Sequence, residues 1–161
     1  MREDILAILE KDSRIGLSDL AVMLGQDEAA VTREVEAMID EQVICGFSTL
    51  VNWDKTTREY VTAMIEVKVA PMRGLGFDKI AERIYKFDEV KAVYLMSGGF
   101  DLTVIMEGRN IKDIAHFVSD KLSPLESVVS TATHFVLKKY KDHGIVMEKD
   151  MAADERMIVS P

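Results

Sequence analysis

The run Met96-Ser97-Gly98-Gly99-Phe100-Asp101 holds the residues best suited to binding chemistry. Consecutive glycines let backbone N–H groups come close to a carboxylate, and the Asp101 carboxylate suits an ammonium group. An amino acid carries both groups and would match that pairing. The same residues also describe an ordinary hairpin turn with a surface aspartate. A second candidate is Arg33, which shares the side of a helical stripe with Ala29 and lies next to Thr32. His116, His134 and His143 lack ligand spacing with Cys45 or with carboxylates, so no metal site is expected. No Ser/His/Asp order, phosphate loop or carboxylate pair stands out, so neither a catalytic residue nor a cofactor is expected.

The elements that position these residues follow from hydrophobic periodicity. Ile5, Ile8 and Leu9 recur at helical spacing, and Asp12-Ser13 offers a turn. Leu17, Leu20, Ala21 and Leu24 form a second stripe, closed by Gly25, where a helix end favours positive φ. Asp27 is placed to cap a third helix, with Glu28 in its first turn and Val31, Val35, Met38 and Ile39 as its buried face. Helix, glycine turn and helix after a supporting helix is the spacing of a helix-turn-helix, although a three-helix packing unit without a DNA role has the same pattern.

Beyond Tyr60 the pattern changes to alternation. Val61, Ala63, Ile65, Val67 and Val69 face one way, and Tyr60, Thr62, Met64, Glu66 and Lys68 the other, until Pro71 and Gly74 break the strand. Phe77, Ile80, Ala81 and Ile84 mark a helix, followed by strands over 90–96 and 100–107 around the glycine turn. Ile111, Ile114, Ala115, Val118 and Leu122 mark another helix, stopped at Ser123-Pro124, and 128–137 is a last strand. The order βαββαβ predicts an α+β protein: a ferredoxin-like sandwich with helices on one sheet face, behind an N-terminal helix-turn-helix. No element remains for the other sheet face, and a second copy of the chain would cover it. The domains expected are 1–53 and 60–143, joined by a linker over 54–59 and followed by a tail over 144–161. In that tail Ile145, Val146 and Met147 would extend a strand or pack on a partner, and Glu148 to Arg156 would be a charged, mobile stretch.

The chain has 161 residues, 30% of them charged and 48% hydrophobic, with one cysteine. It lacks a long apolar run and a signal-peptide pattern, so a cytoplasmic protein with no disulfide framework and no membrane partner is expected. The net charge of −8 argues against a broad grip on nucleic acid or anionic membrane. That charge is unevenly placed: residues 1–53 hold four basic and eleven acidic side chains, a net −7, and the remaining 108 hold 16 and 17. Lys138, Lys139 and Lys141 form a basic rim after the last strand, read as solvated, and the ten methionines are read as core filling.

Taken in order, several short motifs resemble the Lrp/AsnC (leucine-responsive, feast/famine) regulators from about residue 3 to 143. They are Asp4-Ile5-Leu6, Asp12-Ser13-Arg14-Ile15, Leu20-Ala21 with Leu24-Gly25, Val43-Ile44-Cys45-Gly46-Phe47, Val51-Asn52, Val93 to Asp101, and Ser130-Thr131-Ala132-Thr133. The resemblance implies a winged helix-turn-helix and a C-terminal domain that dimerises through its sheet, often assembles into tetramers or octamers, and senses amino acids or related metabolites. It implies that 96–101 line the effector site, with Thr131, Ala132 and Thr133 nearby, and that the third helix enters the major groove of double-stranded DNA.

The third helix departs from that family's habit. Ala29, Arg33, Glu36, Ala37 and Asp40 lie opposite the buried stripe, and Arg33 is the only base against five acids from Glu28 to Glu41. Few counterions would be released, so weak binding is expected, carried by Arg33, Thr32, Ala29, Arg14 and Lys11 and by several copies acting together. One glutamate in the groove could accept from cytosine N4, but three or four could not. Gln42 stands where relatives often have glycine. The expected function is a DNA-binding transcriptional regulator that responds to an amino acid and is not an enzyme. The alternative is a metabolite-sensing or partner-binding protein whose acidic helix-turn-helix does not bind DNA by itself. Some haem-precursor decarboxylases share such a two-domain fold, but no residue set here demands that chemistry.

Overall fold

The computed structural model describes residues 1–70 and 76–148. The expected strand break at Pro71 and Gly74, and the tail from 149 onward, lie outside the described residues. The chain divides into two compact units, Met1–Leu50 and Val51–Pro161. The division falls before Trp53 because residues 51–60 pack within the second unit. Trp53–Lys55 form a 3-10 turn, the Trp53 ring lies 5.9 Å from that of Tyr60, and the Arg58 guanidinium sits 4.5 Å from the Trp53 ring centre. Within the segment read as the linker, residues 54–59 are all exposed, and Arg58 reaches back to the Trp53 ring.

The first unit contains α1 (Arg2–Leu9), α2 (Leu17–Leu24) and α3 (Glu28–Asp40) around Ile5, Leu20, Ala21, Val31, Val35 and Met38. The Asp27 carboxylate accepts from the Ala30 N–H at 3.1 Å, satisfying one of the orphan donors at the start of α3. Both α2 and α3 end in the same motif. Gly25 has φ +61°, Gln26 N–H donates to Ala21 O at 3.0 Å and Gly25 N–H to Val22 O at 3.1 Å. After α3, Gln42 has φ +59°, Val43 N–H donates to Met38 O at 2.8 Å and Gln42 N–H to Ile39 O at 3.0 Å. This left-handed position favours glycine, which accounts for the family's habit there and means that Gln42 is strained. Ile39, expected in the core, is 43% exposed. Residues 45–52, where a wing would lie, carry no strand pairing.

The second unit is a four-stranded antiparallel sheet in the order β2-β3-β1-β4, with β1 Val61–Val69, β2 Val90–Leu95, β3 Leu102–Gly108 and β4 Val128–Phe135. Helix α4 (Phe77–Tyr85) follows β1, and α5 (Ile111–Phe117) follows β3. Ala63, Ile65, Val67, Leu102, Val104 and Met106 share one face and pack against Ile80, Ile84, Ile114, Phe117 and Leu122. Burying each such aliphatic side chain contributes roughly 1.5–3 kcal/mol. The helix expected to run through to Leu122 instead widens into a π turn over Val118–Leu122, closed by Ser123 N–H to Val118 O at 2.8 Å. Widening keeps Leu122 on the core side with Phe117, five residues earlier, whereas an α-turn would rotate it away. Ile111 and Ala115, expected in that buried stripe, face outward.

Two short strands, β5 (Lys141–Asp142) and β6 (Ile145–Val146), form a ribbon around His143 and Gly144, both at positive φ. Ile145 and Val146 thus do join a strand, within the chain's own tail.

Candidate nucleic-acid interface and effector site

Helix α3 presents Ala29, Arg33, Glu36 and Asp40 to solvent, with Ala37 and Thr32 half-buried beside them. The Thr32 hydroxyl donates to Glu28 O at 2.9 Å, so only its lone pairs remain for a ligand. Arg33, Glu28, Glu36 and Asp40 make no ion pair among the described residues. In the turn after α1, Arg14 is held through its N–H to the Asp12 carboxylate at 3.0 Å while its side chain is 92% exposed; Lys11 is exposed too.

The residue that sequence reasoning passed over is Arg2. Its Nε donates to Glu34 Oε2 at 2.6 Å, and its two terminal nitrogens donate to the two oxygens of Glu41 at 2.6 and 3.0 Å. This fork holds the Glu41 carboxyl below the usual glutamate range. An arginine 32 and 39 positions away from two glutamates leaves no local signal. The seven-residue spacing of Glu34 and Glu41, two turns along one side of a helix, is the only hint.

The loop after β2 is built by the main chain. Met96 N–H donates to Asp101 O at 2.8 Å, Asp101 N–H donates to Val67 O at 3.1 Å, and the Asp101 carboxylate accepts from Val69 N–H at 2.8 Å. Asp101 therefore secures the loop to the end of β1, which leaves one carboxylate oxygen for any ammonium. Gly98 has φ +152°, and a Cβ added at Gly98 or Gly99 would meet nothing within 4 Å. Met96, Ser97, Gly98 and Gly99 are exposed; Phe100 and Asp101 are half-buried.

Register separates the three residues of β4. Thr131 and Thr133 pair with Val67 and Ile65 and so lie on the helix-covered face, whereas Ala132 pairs with Glu66 on the open face. On that open face Met64 and Tyr94 are exposed, and His134 Nε2 lies 3.3 Å from Glu66 Oε1. A cleft of about 250 Å³ lined by Trp53, Tyr60, Phe135 and Lys139, and another of about 360 Å³ lined by Arg58, Lys91, Glu107 and Arg109, both lie away from the 96–101 loop. Burial and the facing Glu107 push the Tyr60 hydroxyl up to about 12.

The other chemistry-bearing side chains are engaged locally or stand alone. His143 Nδ1 lies 2.9 Å from Asp142, His116 is exposed on α5, and the Cys45 thiol donates to Gln42 O at 3.2 Å. The lysines read as a solvated rim are partly tied down instead, Lys138 to Glu148 at 2.8 Å and Lys139 to Asp142 at 3.3 Å. No group of three or more His, Cys, Asp or Glu that could hold a metal occurs among the described residues.

The Lrp/AsnC ligand binding domain matches residues 62–146, and a winged helix-turn-helix DNA-binding domain matches residues 1–44. The chain is 51% identical over 159 residues to the uncharacterized HTH-type transcriptional regulator YugG of Bacillus subtilis, covering 98% of this chain and 95% of that one. Among solved structures it is similar to the feast or famine regulatory protein of M. tuberculosis complexed with L-methionine (TM-score 0.70, 18% identity, 87% of this chain and 92% of that chain). A transcriptional regulator of Neisseria meningitidis in an L-Met complex gives a TM-score of 0.69 at 20% identity, over 88% of this chain and 90% of that one. The chain belongs to the Lrp/AsnC family of helix-turn-helix transcriptional regulators.

Proposed function

We propose that this regulator acts in the cytoplasm, inserting α3 into the major groove of its operator. The N-terminal half of a recognition helix meets the base edges. Arg33 there suits guanine, and the Ala29 methyl suits thymine, with Thr32 as an acceptor. Arg14 and Lys11 would lie on phosphate. The observation that carries this reading is the exposed row of α3, where Arg33 is unpaired among the described residues and free to fork onto a base.

The effector is an amino acid seated at the 96–101 loop. Its carboxylate would meet the Gly98-Gly99 backbone and its ammonium the free Asp101 oxygen, with Ala132 from the open face of β4 nearby, whereas Thr131 and Thr133 point to the helix-covered face. The loop is open on one side, so a second copy, stacked through the sheet face that carries Met64 and Tyr94, would complete the pocket. The L-methionine bound by two structural relatives supports this class of ligand. Effector binding would bias the assembly among dimer, tetramer and octamer and so alter which half-sites are reached together.

Fluorescence anisotropy with the chain's own upstream DNA, with and without L-methionine, tests both parts. Wild type should bind saturably and respond to the ligand, and Arg33→Ala should lose about tenfold or more of its affinity and its preference over a scrambled duplex. Equal binding of both duplexes by wild type would instead favour the second reading, a sensor whose acidic helix-turn-helix does not contact DNA by itself. The net −7 of the first 53 residues is what keeps that reading in view.

A further inference from the structure

We propose that Arg2 is a charge-masking residue of the recognition helix: held between Glu34 and Glu41, it screens two of the five carboxylates from Glu28 to Glu41 from DNA phosphates. The inference rests on the DNA-binding reading above and concerns how an acidic helix is tolerated in a groove.

Its three hydrogen bonds run from the first turn of α1 to the middle of α3, at Glu34, and to Glu41 just past its end. Only a planar guanidinium can fork onto one carboxylate while its Nε holds another; an ammonium cannot do both in that geometry. Glu34 and Glu41 are thereby a group of net charge −1 instead of −2. Glu28, Glu36 and Asp40 have no such partner among the described residues, and Glu36 and Asp40 lie towards the end of α3, away from the base-reading half. A helix about 10–12 Å across fills a groove about 12 Å wide. Even its back face is then close to one screening length from phosphate, about 10 Å at 0.1 M salt, so Arg2 acts on affinity without touching DNA.

Charge masking can be separated from simple bracing of α1 on α3. Arg2→Gln, the pair Glu34→Gln with Glu41→Gln, and the triple variant all break the clamp, but they leave the cluster at −2, +1 and 0 against −1 in the wild type. Each is titrated by anisotropy against a mixed-sequence duplex and the upstream duplex at 50 and 500 mM salt, with a circular-dichroism melt of every variant. Masking predicts that affinity follows cluster charge. Arg2→Gln should weaken binding about fivefold at 50 mM and less than twofold at 500 mM, the glutamine pair should bind more tightly than wild type, and the triple variant should lie between. All three variants binding alike, whether as weakly as Arg2→Gln or as well as wild type, would overturn the inference. A wild-type chain that binds neither duplex would remove the DNA reading itself, an outcome distinct from a variant series that fails to follow charge.

Discussion

The two units hold their functional groups by different means. In Met1–Leu50 the arrangement rests on exposed side chains: Arg2 spans Glu34 and Glu41, and Asp27 caps α3. In the second unit the 96–101 loop rests on the main chain, through Val67 O and Val69 N–H on Asp101. Exposed charges are screened by salt, so the first unit's behaviour should follow ionic strength. A loop pinned to a buried strand follows packing instead. Under the proposed function, DNA affinity would then rest on a salt-tunable surface and effector sensing on a loop fastened to the sheet.

The strongest way to break that contrast is to empty the core beneath the loop. Ile65→Ala removes a fully buried side chain at the centre of β1 and should cost about 3 kcal/mol in urea denaturation followed by Trp53 fluorescence. A cost below about 1 kcal/mol would mean that the sheet scaffold is softer than its burial indicates. Next comes the alkaline limb of the second unit. The folded state holds the Tyr60 hydroxyl at about 12, above its ordinary value, so it favours the neutral phenol. The stability this contributes is intact below pH 10 and is lost as the pH rises from 10 through 12. A spectrophotometric titration at about 295 nm should show one late tyrosine step, absent in Tyr60→Phe; an unchanged profile would remove Tyr60 from that role. The smallest effect belongs to the first unit. Gln42→Gly relieves a left-handed residue, worth about 1–2 kcal/mol, against a glycine entropy cost of about 0.5–1, so stability should rise by about 0.5 kcal/mol. A fall in the melting temperature would show that Gln42 makes a compensating contact.

Much of this was legible in the residues, for local reasons. The stripe Val31, Val35 and Met38, the Asp27 cap and the Gly25 turn all follow from rules acting over three or four positions. The alternation from Val61 to Val69 declared one buried face in the same way. Local rules failed where a neighbour from elsewhere intervened. The π turn at Val118–Leu122 answers to the core that Leu122 must reach, and Ile39, at the edge of the α3 stripe, finds no neighbour to cover it and is 43% exposed. The candidate loop was legible by its glycines, but the bond from Val69 to Asp101, 32 positions apart, was not.

The order of the main elements, the helix-turn-helix spacing, the charge imbalance between the two ends and, through several motifs in series, the family could all be read from the residues in order. These depend on periodicity, composition and residue identity, which are properties of the chain taken in order. Only folding settled which face of β4 each of Thr131, Ala132 and Thr133 occupies, that Asp101 fastens a loop to a strand, and that Arg2 bridges Glu34 and Glu41. Each of these depends on strand register or on contacts between distant residues. A shift of one residue in register would exchange the two faces of a strand without changing a letter of the sequence.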